Sequence, residues 1–450
     1  MGRMGWIAAG LLAGAGMTTA LPAGAATMAA QAAPAAGVDV NDLLEAVARG
    51  ELAPVDRALA GPLPADTAAL LRAARAATRY DFAATADPAL ARLASGQDPA
   101  LRRAALTVLT GASFANGDYA GAARAGGQLE DALRAAGKIH DAEGVGRTWR
   151  LAALLAGRPA QSLASAAPVP ASSGVHRDAV GMNRMSISVN GTALDSVIDT
   201  GANLSVLTTE TARRLGIPLI EGGVDVGNSV DSTVPVRVAI VDRLEIAGNV
   251  LRNVPFLIIA DDALSFTLPT GRYEIKAIVG LPVLRALGRV RIEAAGRFEV
   301  LGDAPAGEAT TQNMYGVGDE IYVDVSLGGR PVPLLLDTGA NRTGLTARYA
   351  AANAQAVAAL ATRNATDQGA GGAQVRSVAR WTEVPVAVGG RALVLPEITI
   401  ALPATGSPPP QTNGTLGQDV LRRFDSYTLD FRAMRLSLGA PVAAAPAAAH

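Results

Sequence analysis

Asp199-Thr200-Gly201-Ala202-Asn203 and Asp337-Thr338-Gly339-Ala340-Asn341 are the same five residues written twice in one chain. The likeness extends outward from both. Met185–Asn203 lies on Val323–Asn341 without a gap: Ile187 meets Val325, Gly191 meets Gly329, and Leu207-Thr208 recurs as Leu345-Thr346. Further along, Ile278-Val279-Gly280 answers Thr415-Leu416-Gly417, and Val283-Leu284 answers Val420-Leu421. The two glycines stand 81 residues after Asp199 and 80 after Asp337. Chance does not hold an internal distance over such a span, so the chain contains a duplicated unit.

Within each copy a mainly apolar strand, Leu194–Ile198 or Val332–Leu336, delivers an aspartate at its end, on a turn whose glycine permits a tight backbone path. The threonine beside it offers a hydroxyl to a partner loop. The distant apolar-glycine element is expected to pass beside this turn, Gly280 and Gly417 letting the backbones approach. One Asp-Thr-Gly is an ordinary turn sequence; two in matched β frames point to chemistry. Two aspartates buried together do not easily both ionise, so one is raised and the pair shares a proton at mildly acidic pH. The ionised partner can then act as base on a water while the protonated one donates to a carbonyl oxygen.

On these residues the β region resembles two tandem retropepsin-like lobes fused in one chain, as in pepsin-like aspartic peptidases. The alanine after each glycine is closer to the retroviral type and its bacterial relatives than to pepsin. The resemblance covers about Asp178 to Ala440. It implies a closed all-β barrel lobe per copy, a substrate cleft between the lobes, a glycine-rich hairpin flap over it, and peptide-bond hydrolysis by an activated water. Carried onto this chain, Asp199 and Asp337 are the catalytic pair. Thr200 and Thr338 brace across the lobes, and Gly201, Ala202, Gly339 and Ala340 shape the loops with Gly280 and Gly417 in support. Flap candidates run from Glu221-Gly222-Gly223 through Ser232 and over Thr366-Asp367-Gln368-Gly369-Ala370-Gly371-Gly372, each followed by a β-like run, Val234–Leu244 and Val375–Val388. Two departures stand out. Gln418-Asp419 follows the second glycine, a polar pair suited to bracing the loop, where the first lobe has Leu281-Pro282; and neither flap candidate holds a tyrosine.

Before the β region, residues 38–165 read as α-helical: alanine, leucine and arginine dominate and apolar residues recur at three and four. Helices are expected from Thr67 to Arg79 with Asp66 as cap, from Pro99 to Thr110 with Asp98 as cap, and from Ala120 to Ala136. Leu43–Val47 and Leu106–Leu109 read as core. Ala112 to Ala123 resembles a tetratricopeptide-type helix–turn–helix junction, and an ordinary bundle accounts for it equally well. The remaining boundaries are a signal peptide over 1–25, a lead-in over 26–37, a linker over 166–177, lobes over 178–302 and 310–440 joined by about Gly302 to Gln312, and a tail over 441–450. Arg3, the apolar Trp6–Met17 and Ala23-Gly24-Ala25 carry the export signal. That apolar stretch is short of the about 20 residues a membrane helix needs, so no stable membrane insertion is expected after cleavage.

Composition narrows the chemistry. The sequence has no cysteine, which removes disulfides and thiol nucleophiles, and its histidines are only His140, His176 and His450, in no metal-binding or Ser-His-Asp pattern. Net charge of -1 predicts no nucleic-acid binding. No cofactor or metal is called for. The expected partner is a peptide or protein substrate, with the helical region available to a further protein. A catalytically silent peptide-binding module is the alternative; a glycosidase would want aromatic platforms, and aromatics are 4% of the chain.

Overall fold

The computed structural model describes residues 39–227, 233–268, 271–304, 311–369, 372–403 and 412–442. The expected signal peptide, lead-in, residues 443–450 of the tail, and Gly371 lie outside the described residues. Among the described residues no helix is long and apolar enough to cross a membrane.

Seven α-helices come first: α1 (Val40–Ala48), α2 (Ala53–Leu59), α3 (Ala65–Ala77), α4 (Pro88–Ala94), α5 (Pro99–Ala115), α6 (Tyr119–Ala135) and α7 (Ile139–Leu155). Their starts follow capping chemistry. Asp98 accepts from the amides of Ala100 (2.8 Å) and Leu101 (3.1 Å) with Pro99 at the first helical position. Asp118 caps α6 through the Gly121 amide at 2.9 Å. Asp66 is a correction: α3 begins at Ala65, because the extended backbone of Pro64 (ψ 141°) already ends the preceding loop, and the carboxylate pairs with Arg92 at 2.6 Å. Phe114 and Tyr119 meet edge-on, centroids 5.5 Å apart, across the α5–α6 turn where Gly117 takes φ 77°. Leu43, Val47, Leu106 and Leu133 lie in one buried helical core.

Each duplicated copy folds the same way. The hairpin Asn183–Val189 / Thr192–Ile198 turns on Asn190 (φ 49°) and Gly191 (φ 87°); its counterpart Glu320–Leu327 / Arg330–Leu336 turns on Gly328 (φ 56°) and Gly329 (φ 82°). Two consecutive residues at positive φ are the requirement of the tight hairpin turn whose twist matches the strands. The second hairpin strand is the one that ends in the aspartate. Ala277–Val279 runs parallel beside it in the first lobe and Gly414–Leu416 in the second, so the glycine element does pass the catalytic turn.

Five strands at one end of a 13-stranded sheet join the lobes, in the order Arg435–Leu438, Ser426–Asp430, Arg289–Glu293, Arg297–Val300, Ala171–Arg177. The last of these corrects the linker over 166–177. Ala171–Arg177 reads as a break because it is rich in serine and glycine, yet it pairs with Arg297–Val300 on one side and Asn183–Val189 on the other. The tail is shorter than expected, since the Val442 amide still donates to the Arg423 carbonyl at 2.8 Å. Phe298, Val290, Ile292, Leu429 and Leu436 bury the inner face of the joining sheet in the core shared by both lobes. Phe298 is fully enclosed, so Phe298→Ala should cost about 3–5 kcal/mol in urea unfolding; a loss below about 1 kcal/mol would mean this sheet does not hold the lobes.

Candidate active site

The two aspartates, 138 positions apart in the chain, face one another between the lobes. Asp199 ends its strand by donating its amide to the Val279 carbonyl (3.0 Å), and Asp337 does the same to Leu416 (3.1 Å). Both side chains are completely buried. Each Oδ1 accepts from the amide two residues on: Gly201 to Asp199 at 2.8 Å, Gly339 to Asp337 at 2.7 Å. Each Oδ2 is buried with no hydrogen-bond partner elsewhere in the protein, which leaves these two oxygens as the ones free for chemistry.

The threonines lock the loops together. Thr200 Oγ1 donates to the Leu336 carbonyl (2.6 Å) and accepts from the Thr338 amide (3.0 Å); Thr338 Oγ1 donates to the Ile198 carbonyl (2.9 Å) and accepts from the Thr200 amide (3.0 Å). Gly201 and Gly339 turn out to be needed for space rather than conformation. A Cβ on Gly201 would stand 2.6 Å from Asp337 Cγ, and one on Gly339 would collide with the Asp199 carboxyl. Each glycine thus makes room for the aspartate of the other lobe. Gly280 and Gly417 are spaced tightly too, their would-be Cβ atoms 2.6 Å from the Ala202 carbonyl oxygen and from the Arg342 carbonyl carbon.

Beyond the dyad the lobes are braced differently. In the second, Asp419 Oδ1 accepts from the Thr343 amide (2.8 Å) and hydroxyl (2.7 Å), and Gln418 Nε2 donates to the Thr338 carbonyl (2.9 Å). In the first, Ser205 replaces Thr343 and receives the Gly280 amide at 3.1 Å, with no carboxylate behind it. Asn203 instead donates to Asp319, on the hairpin tip of the opposite lobe, at 2.5 Å. Nothing in the sequence marks Asp319, because its position depends on how the lobes meet.

The flap candidates divide. Gly222 and Gly223 precede the strand Val224–Gly227 and lie at the base of its hairpin with Thr233–Ile246, while residues 228–232 of the same candidate lie outside the described residues. Gly369 and Gly372 do sit at a hairpin tip, as register partners closing Ala361–Gly369 against Gly372–Val388.

Burial pushes Asp199 up to about 6, with a hydrogen bond from the Asp337 carboxyl and the amides of Gly201, Ala202 and Gly339 pulling the other way. Asp337 is raised well above the usual carboxylate range, by burial first and then by the charge of Asp199. Both shifts run upward, so the pair holds one shared proton over the weakly acidic range.

Residues 185–283 match the family model described as aspartyl protease. No curated protein matches the chain. Among solved structures, a retropepsin-like aspartic protease from Rickettsia conorii aligns at 16% identity over 31% of this chain and 92% of that one, with a TM-score of 0.23. The family match lies on the first of two similarly folded β lobes, which a helical region precedes. A protease-type function is what that match supports.

The folded protein holds protons on the dyad at pH values where the unfolded chain, with aspartates near ~3.9, has released them. The dyad's contribution to stability is complete below that value and is lost as pH rises through the folded values. Asp337→Asn should accordingly raise the melting temperature relative to the parent by on the order of 3 °C at about pH 7, and by nothing near pH ~3.5. An equal change at both pH values would show that the pair is not protonated as described.

Proposed function

We propose that the protein is an exported aspartic endopeptidase that hydrolyses peptide bonds with a water activated between Asp199 and Asp337. One observation carries this reading: two enclosed carboxyls face each other, one from each lobe of the same chain, with Oδ2 atoms that no group outside the pair holds and with proton affinity raised by burial. A water lodged at both Oδ2 atoms gives its proton to the ionised carboxylate of the pair as it attacks the carbonyl carbon. The protonated partner donates its proton to the carbonyl oxygen, and the resulting tetrahedral species collapses as a proton passes to the leaving amine. The loop amides that hold each Oδ1 fix the carboxyls in the geometry the step needs.

The substrate is an extended peptide, laid along the cleft by main-chain hydrogen bonds of the strand-addition kind, with the hairpin Ala361–Gly369 / Gly372–Val388 closing over it. Export rests on Arg3, Trp6–Met17 and Ala23-Gly24-Ala25.

Incubated with an unstructured protein from about pH 3 to 8, the purified chain should cleave it, and Asp199→Asn or Asp337→Asn should each lower the rate by roughly a thousandfold. A folded parent that binds such peptides without cutting them would make the protein a peptide-binding module instead.

A further inference from the structure

The first-lobe sheet buries an extensive apolar cluster on each face, whereas outside the main core the second-lobe sheet has the small cluster Leu335, Tyr315 and Tyr322. In the first lobe Ile198, Leu207, Ala277 and Val279 point into the main core, while their chain neighbours Val197, Val206 and Ile278 belong to a second buried cluster on the other face. That second cluster includes Ala202 and Leu204, directly beyond the catalytic turn, and Val226, Val234 and Val236 of the hairpin above it. Residues of the catalytic turn and of this hairpin thus line one apolar space.

The space is taken by the chain itself. Phe114 of α5, Ala122 of α6, and Leu151, Ala152 and Leu155 of α7 complete the same cluster. Leu154 presses on the hairpin base, where a Cβ on Gly222 would lie 3.0 Å from its Cδ2. At the other side of the cleft the helices grip the second lobe. A Cβ on Gly50, just after α1, would lie 2.6 Å from the Tyr315 ring, the Gly316 amide donates to the Thr78 carbonyl at 2.8 Å, and Gly111 of α5 abuts Gly318. Arg285 of the first lobe donates to the Ala115 carbonyl and stacks on Tyr80 at 4.5 Å.

Positions in the duplicated lobe sharpen the point. The counterparts of Leu204, Val206 and Ile278 are Arg342, Gly344 and Thr415, and Arg342 is exposed. Ser205–Thr208 is buried throughout, whereas Gly344 in the matching strand is not. Strands read as continuously apolar when both faces are covered. The first lobe has the residues for an extensive cover on its substrate side; at these three positions the second lacks them and has instead a smaller cluster of Leu335, Tyr315 and Tyr322 with Leu52 against it.

We propose that the helical region is an inhibitory cap: α5–α7 occupy the substrate wall of the first lobe, tethered across to the second, and peptide enters only when they lift. This rests on the peptidase reading above. Two variants of the full chain test it, with a fluorogenic random-peptide library as probe. Leu154→Asp places a charge in the half-buried contact with the hairpin and should raise the cleavage rate by about tenfold, since a rate limited by a minor open population rises as that population grows. The double variant Gly111→Cys/Gly318→Cys is designed to staple the cap in a chain otherwise free of cysteine, a Cβ built on Gly111 lying 3.7 Å from Gly318 Cα, with closure read as loss of free thiol. Oxidised, it should cleave about tenfold more slowly than the same sample reduced, so any strain from the substitutions cancels. Adding Asp337→Asn to Leu154→Asp should abolish the gain. Equal rates for parent, Leu154→Asp, and oxidised and reduced staple overturn the cap and leave the peptidase standing. Folded protein that never cleaves in any form ends both.

Discussion

Two threonine hydroxyls that cross between the lobes are the contact on which the site depends. Thr200 and Thr338 each receive the other's amide and each donate to a carbonyl of the opposite strand, in surroundings from which water is excluded. A buried amide or carbonyl without a partner costs about 1–3 kcal/mol, so the loops have one arrangement in which all four groups are satisfied. That arrangement sets Asp199 against Gly339 and Asp337 against Gly201. The closeness of the two carboxyls, and hence the upward shift of the pair, follows from the threonine lock, which holds them together against the repulsion that sets in when both are ionised.

Around this symmetric centre the lobes differ, and the differences follow what each lobe has beside it. The second lobe supports its loop internally, through Asp419 on Thr343 and Gln418 on the Thr338 carbonyl. The first leans on its surroundings: Asn203 reaches Asp319 of the other lobe, and Gln161, beyond the last helix, donates to the Pro282 carbonyl at 3.0 Å where Asp419 would otherwise stand. Duplication kept the residues the dyad cannot do without. The faces turned toward the helices diverged.

The repeated pentapeptides were readable because chemistry and geometry both constrain them: an aspartate, a crossing hydroxyl and a glycine with no room for a Cβ. The hairpins before them were readable through apolar strands broken by Asn190-Gly191 and Gly328-Gly329. The retropepsin-like recognition and the division into helical and β regions rested on those features. What escaped was long-range. Ala171–Arg177 has a loop-like composition and becomes a strand only because the edge of Arg297–Val300 needs a partner. The role of Gly201 and Gly339 looked conformational from one lobe alone, and is steric once the second lobe is in place. Leu204, Val206 and Ile278 look like ordinary core residues; only the comparison with Arg342, Gly344 and Thr415, joined to the position of α7, shows that they face a cover.

The central claim is that one proton shared by Asp199 and Asp337 does the work. The most direct test is the pH dependence of kcat/KM for the full chain. The expected profile is a bell whose acid limb lies above the range of an ordinary aspartate, toward about 6, because burial raises the pair, and whose alkaline limb marks the loss of the shared proton. An acid limb near ~3.9 or a rate indifferent to pH would contradict it.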